Sequence, residues 1–159
     1  MEFLLENYLT DQPQERYSVY QAMLVNDFNA LHKRFVALFD SIANDNYRNN
    51  TIAHYEGYYA AVMYAYLCSL GIETHAEDTT NRGRIDLTLR FTLPEGQQQV
   101  YIFEFKVIDG EQADGSALQQ IKDKQYAKKY DNGQQTIFLI GMEFSKVTRN
   151  IVGFEWVLY

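Results

Sequence analysis

Phe28, Leu31, Phe35, Leu38, Phe39 and Ile42 recur every three or four residues, the spacing of one helix face. Asn26 and Asp27 precede them as candidate caps, so an amphipathic helix is predicted from there to about Ala43. A shorter helix is predicted over 14–24, after an irregular start around Asp11, and 44–50 reads as a polar turn. A third helix is predicted over 52–70 and stops at Gly71, a good C-terminal cap. Its inward stripe is Glu56, Tyr59, Ala60, Met63, Leu67 and Leu70. A carboxylate thus opens an apolar face. Burying it alone is costly, so Glu56 needs a partner, a metal or a solvated cleft.

After Gly71 the period changes from helical to two, the signature of strands. Strands are predicted over 72–77, 84–92 and 99–108. In the second, Ile85, Leu87, Leu89 and Phe91 alternate with Arg84, Asp86, Thr88 and Arg90. Pro94-Glu95-Gly96 supplies a hairpin turn. A tight hairpin centred on Glu95 places Asp86 directly opposite Glu104, with Cβ atoms about 4.5–5.5 Å apart. A flexible loop is predicted over 109–115. Ser116 is then read as the cap of a helix from Ala117 to about Tyr130, stopped by Asp131-Asn132-Gly133. Two further strands are predicted over 136–140 and 151–158. After the N-terminal helices the order is α-β-β-β-α-β-β, which implies a mixed sheet flanked by helices.

The chain has 159 residues, 47% of them apolar, enough for one compact unit with a real core. No repeat, low-complexity stretch or Gly/Ser linker divides it. The expected organisation is an N-terminal helical extension over 1–50 and a second unit over 51–159. The 13 Tyr and 10 Phe read as core and sheet packing. The single cysteine, Cys68, excludes an internal disulfide and is expected to be a small buried residue. No charged leader with an apolar stretch is visible, and no apolar run is long enough to span a bilayer. A cytoplasmic protein without membrane contact is expected. A net charge of -7 argues against a broad polyanion-binding coat, although a local basic groove remains open. Lys122, Lys124, Lys128 and Lys129 stand against only Asp123 in that segment, and Arg82 and Arg84 precede Asp86.

The candidate chemistry lies in Glu104-Phe105-Lys106. Residues two apart on a strand share a face, so the carboxylate and the ammonium project together. Two carboxylates as close as Asp86 and Glu104 repel unless a cation or a proton sits between them. With Asp86 beside it, Glu104 would complete a divalent-metal site, an arrangement that suits phosphodiester hydrolysis. The three histidines show no metal spacing, and no G-x-S-x-G nucleophile motif is present.

Together, Glu56-Gly57-Tyr58-Tyr59, Gly83-Arg84-Ile85-Asp86, Phe103-Glu104-Phe105-Lys106 and Ala117-Leu118-Gln119-Gln120-Ile121, followed by Tyr126 and Tyr130, resemble the PD-(D/E)XK nuclease superfamily. The match covers about residues 52–141. Its nearest likeness is a bacterial branch whose nuclease domain commonly follows an AAA-ATPase-like domain. The resemblance implies an α/β, restriction-endonuclease-like αβββαβ core with extra N-terminal helices. It implies a metal-dependent nuclease, acting on DNA. Asp86 and Glu104 would bind Mg²⁺ or Mn²⁺, with the Phe105 carbonyl as third ligand. The metal would acidify water and neutralise charge on the phosphate. Lys106 would orient or activate that water. Glu56 would bind a second metal or hold a water, and Gln120 would contact a phosphate or orient Lys106. Gln120 is preferred to Gln119 because it shares a stripe with Ala117, Ile121 and Ala127. Arg84, Lys122, Lys124 and Lys128 are candidate nucleic-acid contacts. The residue before Asp86 is Ile85 where the family name has proline. No G-x-x-x-x-G-K-[ST] loop occurs, so an ATPase-like partner would lie elsewhere, in cis or in trans.

Each element has a plainer reading. An E-x-K on a strand is usually a solvated edge, Asp86 could pair with Arg84 or Lys106, and Glu56 could serve its helix dipole. A lysine run is most often a solvated face. A silent nucleic-acid-binding or interaction module of the same fold is the alternative function.

Overall fold

The computed structural model describes residues 12–42 and 56–159. Among them the order is α1 (Gln12–Leu24), α2 (Phe28–Asp40), α3 (Glu56–Ser69), β1 (Glu73–Thr80), β2 (Gly83–Thr92), β3 (Gln98–Ile108), α4 (Ser116–Lys124), a 3-10 turn (Tyr126–Lys129), β4 (Gln135–Ser145) and β5 (Ile151–Leu158). The predicted polar turn at 44–50 and the predicted start of the third helix at 52–55 lie outside the described residues. The strands form one five-stranded sheet in the order β1-β2-β3-β4-β5. β3 and β4 are parallel and the other neighbours antiparallel, so the sheet is mixed, as expected.

Local signals explain most boundaries. Asp27 caps α2 by accepting from the Ala30 N–H at 3.0 Å. Pro13 falls in the first turn of α1, where a missing N–H costs nothing, so the helix begins before residue 14. Gly71, at φ 76°, ends α3: its N–H bonds Cys68 and the Ile72 N–H bonds Leu67, a Schellman closure. The β2–β3 turn closes through Leu93 to Gln97 at 2.7 Å, and the register pairs Leu87 with Phe103, so the hairpin is centred on Glu95 as predicted.

Several expectations need correction. β1 reaches Thr80, because Asp78, Thr79 and Thr80 pair with Ile85, Arg84 and Gly83 across a two-residue turn. β4 runs through Gly141 to Ser145, since parallel pairing with β3 supports it along its whole length. α4 stops at Lys124: Gln125 takes φ 51°, and the 3-10 turn that follows turns Tyr126 and Ala127 inward. Ser116 is the first helical residue rather than the cap. Gly115 occupies the cap position, and Asp114 accepts from the Ser116 N–H at 2.9 Å.

The sheet separates two cores. On one side α1, α2 and α3 bury Leu87, Leu89, Phe103 and Phe105 with Phe35, Tyr59 and Tyr66. On the other, α4 and the 3-10 turn cover Val100, Ile102, Ile137 and Leu139. Each buried side chain of this size contributes roughly 1.5–3 kcal/mol on leaving water. Ile85 departs from the predicted alternation and joins the second core. It lies where Glu77, at φ 52°, interrupts the β1–β2 ladder. Cys68 is exposed, not buried, because α3 directs Tyr59, Met63, Tyr66 and Leu67 inward and leaves Tyr64 and Cys68 on its outer face.

Candidate active site

The β2–β3 ladder ends at Leu87↔Phe103, although β2 starts at Gly83 and β3 continues to Ile108. The strands therefore part at the next register position, which belongs to Asp86 and Glu104. The Phe105 N–H, deprived of a β2 carbonyl, donates to the Asp86 carboxylate at 2.9 Å. Asp86 is thus fixed by backbone. Glu104 is 2% exposed, and its Oε2 is buried without a hydrogen-bond partner. Such an orphaned oxygen normally costs about 1–3 kcal/mol or more.

The electrostatics follow from that placement. Burial, then the Asp86 charge, push the Glu104 carboxyl up to about 8, against the pull of Lys106 and the Gln120 hydrogen bond. Burial also raises Asp86, opposed by the Phe105 N–H. Burial beside a second carboxylate thus favours the protonated form of Glu104 when no cation offsets the charge.

Gln120 donates its amide to Glu104 Oε1 from α4. Gln119 instead pairs with Asp123 at 2.8 Å on the outer face. This reach depends on Gly141, the register partner of Glu104 on β4. A Cβ at Gly141 would stand 2.3 Å from the Leu118 backbone nitrogen, so only glycine lets α4 lie this close. Glu143, 2% exposed, holds the same helix by its N-terminus. Its carboxylate accepts from the Asp114 N–H at 2.8 Å and from the Ala117 N–H and Ser116 Oγ at 3.3 Å. Negative charge is favoured at a helix N-terminus. The strand predicted from sequence ends at residue 140 and so leaves out Glu143, which β4 carries. A carboxylate two residues beyond a glycine in an apolar run was the available signal.

Lys106 pairs with Glu56 at 3.7 Å, their side chains 26% and 46% exposed. Glu56 therefore begins α3 at the rim of the site, not on its buried stripe. Tyr126, buried, approaches the carboxylates from the 3-10 turn: burial and then Glu104 raise its hydroxyl pKa. Arg84 faces Glu77 at 3.4 Å. The lysines do not share one groove. Lys122 lines a depression with Gly115, Gln119 and Glu155, whereas Lys128 lines another with Arg82, Gln125 and Lys129. Lys124 is exposed and lines neither. His32 stacks on Phe154 and His75 pairs with Glu73, so neither approaches the carboxylates.

Among the described residues no three His, Cys, Asp or Glu side chains cluster as a ready metal cage. Two carboxylates with an unsatisfied buried oxygen still fit a hard divalent cation, which completes its shell with carbonyls and water.

The profile of the PD-(D/E)XK nuclease superfamily matches residues 54–154. A protein of Azotobacter chroococcum mcd 1, named only as an uncharacterized protein in the vnfD 5' region, is 49% identical over 136 residues. That alignment covers 86% of this chain and 25% of the relative, so the chain spans about a quarter of the relative's length. No solved structure matches the chain. Among the described residues no helix is long and apolar enough to cross a membrane.

Proposed function

Because the chain belongs to the PD-(D/E)XK nuclease superfamily and carries its nuclease fold, we propose that it is a divalent-metal-dependent nuclease that hydrolyses phosphodiester bonds in DNA. The observation that carries this reading is the buried, unpartnered Oε2 of Glu104 beside Asp86.

In this reading Asp86 and Glu104 hold Mg²⁺ or Mn²⁺, with the Phe105 carbonyl as a further ligand. The cation supplies Lewis acidity to water and to the phosphate. Asp86 is pre-oriented by the Phe105 N–H and Glu104 by Gln120, so little reorganisation accompanies loading. Lys106 exchanges its long contact with Glu56 for the attacking water or a phosphoryl oxygen. Glu56 keeps Lys106 at the rim until then and could take a second cation. Arg84, Lys122, Lys124 and Lys128 contribute phosphate contacts.

The test incubates the protein and its Glu104→Ala variant with single-stranded, duplex and branched DNA in Mg²⁺ or Mn²⁺. Metal-dependent cutting by the wild type alone is expected. Equal cutting by the variant refutes the assignment of the site. A second reading is a silent nuclease-fold module that works with an ATPase-like partner. It predicts Mn²⁺ binding by calorimetry with no turnover of any DNA.

A further inference from the structure

The β1–β2 turn and the 3-10 turn enclose a cleft of about 450 Å³ lined by Thr79, Thr80, Asn81, Arg82, Gln125, Lys128 and Lys129. Three cations and no carboxylate line it, on a chain whose net charge is -7. A polyanion is repelled by most of such a surface and must land where the local potential is reversed.

The cations are not equivalent. Lys129 is committed: its ammonium donates to Asp78 and, at 2.9 Å, to the Thr79 carbonyl. Asp78 also accepts from Thr88 and Tyr130. Arg82 and Lys128 have no carboxylate partner among the described residues, and both are exposed. Arg82 is nonetheless held by its backbone, whose N–H donates to Thr80 Oγ1 at 3.1 Å. Gln125, with its left-handed backbone, turns the chain so that its side chain and that of Lys128 line the cleft.

Tyr126 links the surroundings of the cleft to those of the carboxylates. Tyr126 follows Gln125, and its hydroxyl would lie 3.1 Å from a Cβ at Gly83, the residue after Arg82. The same tyrosine senses Glu104 and Gln120. Along β2 the rise is about 3.3 Å per residue, so Gly83 precedes Asp86 by about 10 Å. We infer that this cleft is a phosphate-binding subsite in which Arg82 and Lys128 grip the backbone of a nucleic-acid strand to one side of the scissile bond. The inference rests on the nuclease reading for the position of that bond, but not for the binding itself.

The experiment measures binding of fluorescent single-stranded and duplex 20-mers by anisotropy across a salt series in Mg²⁺. A Glu104→Gln background keeps the probe intact. Adding Arg82→Ala and Lys128→Ala should make the slope of log K against log salt shallower by roughly one to two. Affinity at low salt should fall about tenfold or more by the same loss of phosphate contacts. A charge-matched Arg16→Ala/Lys33→Ala variant, on the helices of the opposite sheet face, should leave the slope unchanged. An unaltered slope in the Arg82/Lys128 variant overturns the inference, as does the absence of binding in the Glu104→Gln parent. If the active chain cuts no nucleic acid while the slope still depends on Arg82 and Lys128, the nuclease reading fails and the subsite stands.

Discussion

Glu104 is buried against a second carboxyl without a cation, so its proton is an expected partner of the metal-free protein. The sign follows from linkage. Its folded pKa, about 8, lies above the usual carboxylate value, so the folded state binds the extra proton. Stability contributed by that proton is present at low pH and is lost as pH rises through about 8. Wild-type protein in EDTA should therefore lose stability from pH 5 to 9 relative to Glu104→Gln, which stays neutral; parallel melting curves would contradict this. Cation and proton compete for the same oxygens, so Mn²⁺ affinity should tighten over that range in calorimetry and flatten above it. Lys106→Ala should reduce turnover by on the order of 10²-fold or more, as loss of a positioned water- or phosphate-binding group does. An unchanged turnover would leave Lys106 a simple partner of Glu56.

At the scale of elements, the site depends on how closely α4 lies on β4. Gly141→Ala drives a methyl into the Leu118 backbone, which cannot swing aside as a side chain could. It should destabilise by about 1–3 kcal/mol, as overpacking does, and withdraw Gln120 from Glu104. Glu143→Ala strands the Asp114 and Ala117 N–H groups and should cost about 2–4 kcal/mol in urea unfolding. Glu143→Gln should recover part of that loss, because one amide oxygen still accepts. A melting temperature unchanged in both Glu143 variants would show that water replaces the carboxylate.

For the whole molecule, two cores on opposite sheet faces make the five strands a shared wall, and the parting of β2 from β3 at one end opens it. A cation bound there stabilises only the folded chain. Mn²⁺ at about a hundred times its Kd should add about 2.7 kcal/mol. Asp86→Ala should abolish that rise in melting temperature; a rise that persists would place the cation elsewhere. The acidic surface makes association with DNA depend on local patches, so cutting should be strongly inhibited by salt if those patches position the strand.

Much of the fold was legible in the chain. The helix stripes, the Asp27 cap, the stop at Gly71 and the hairpin centred on Glu95 are local or periodic, and local physics decides them. Asp86 and Glu104 could be matched by counting outward from one turn, because strand register is arithmetic. Tertiary structure alone decided the rest. Only parallel pairing carried β4 past Gly141 and delivered Glu143 to the start of α4, a contact 26 residues apart in sequence for Ala117. Packing on the sheet broke the predicted long helix at Gln125 and divided its lysines between two depressions. The orphaned oxygen of Glu104 arises because two strands part while a helix closes over them. No pattern along the chain encodes that cost, since it comes from groups that meet only after folding.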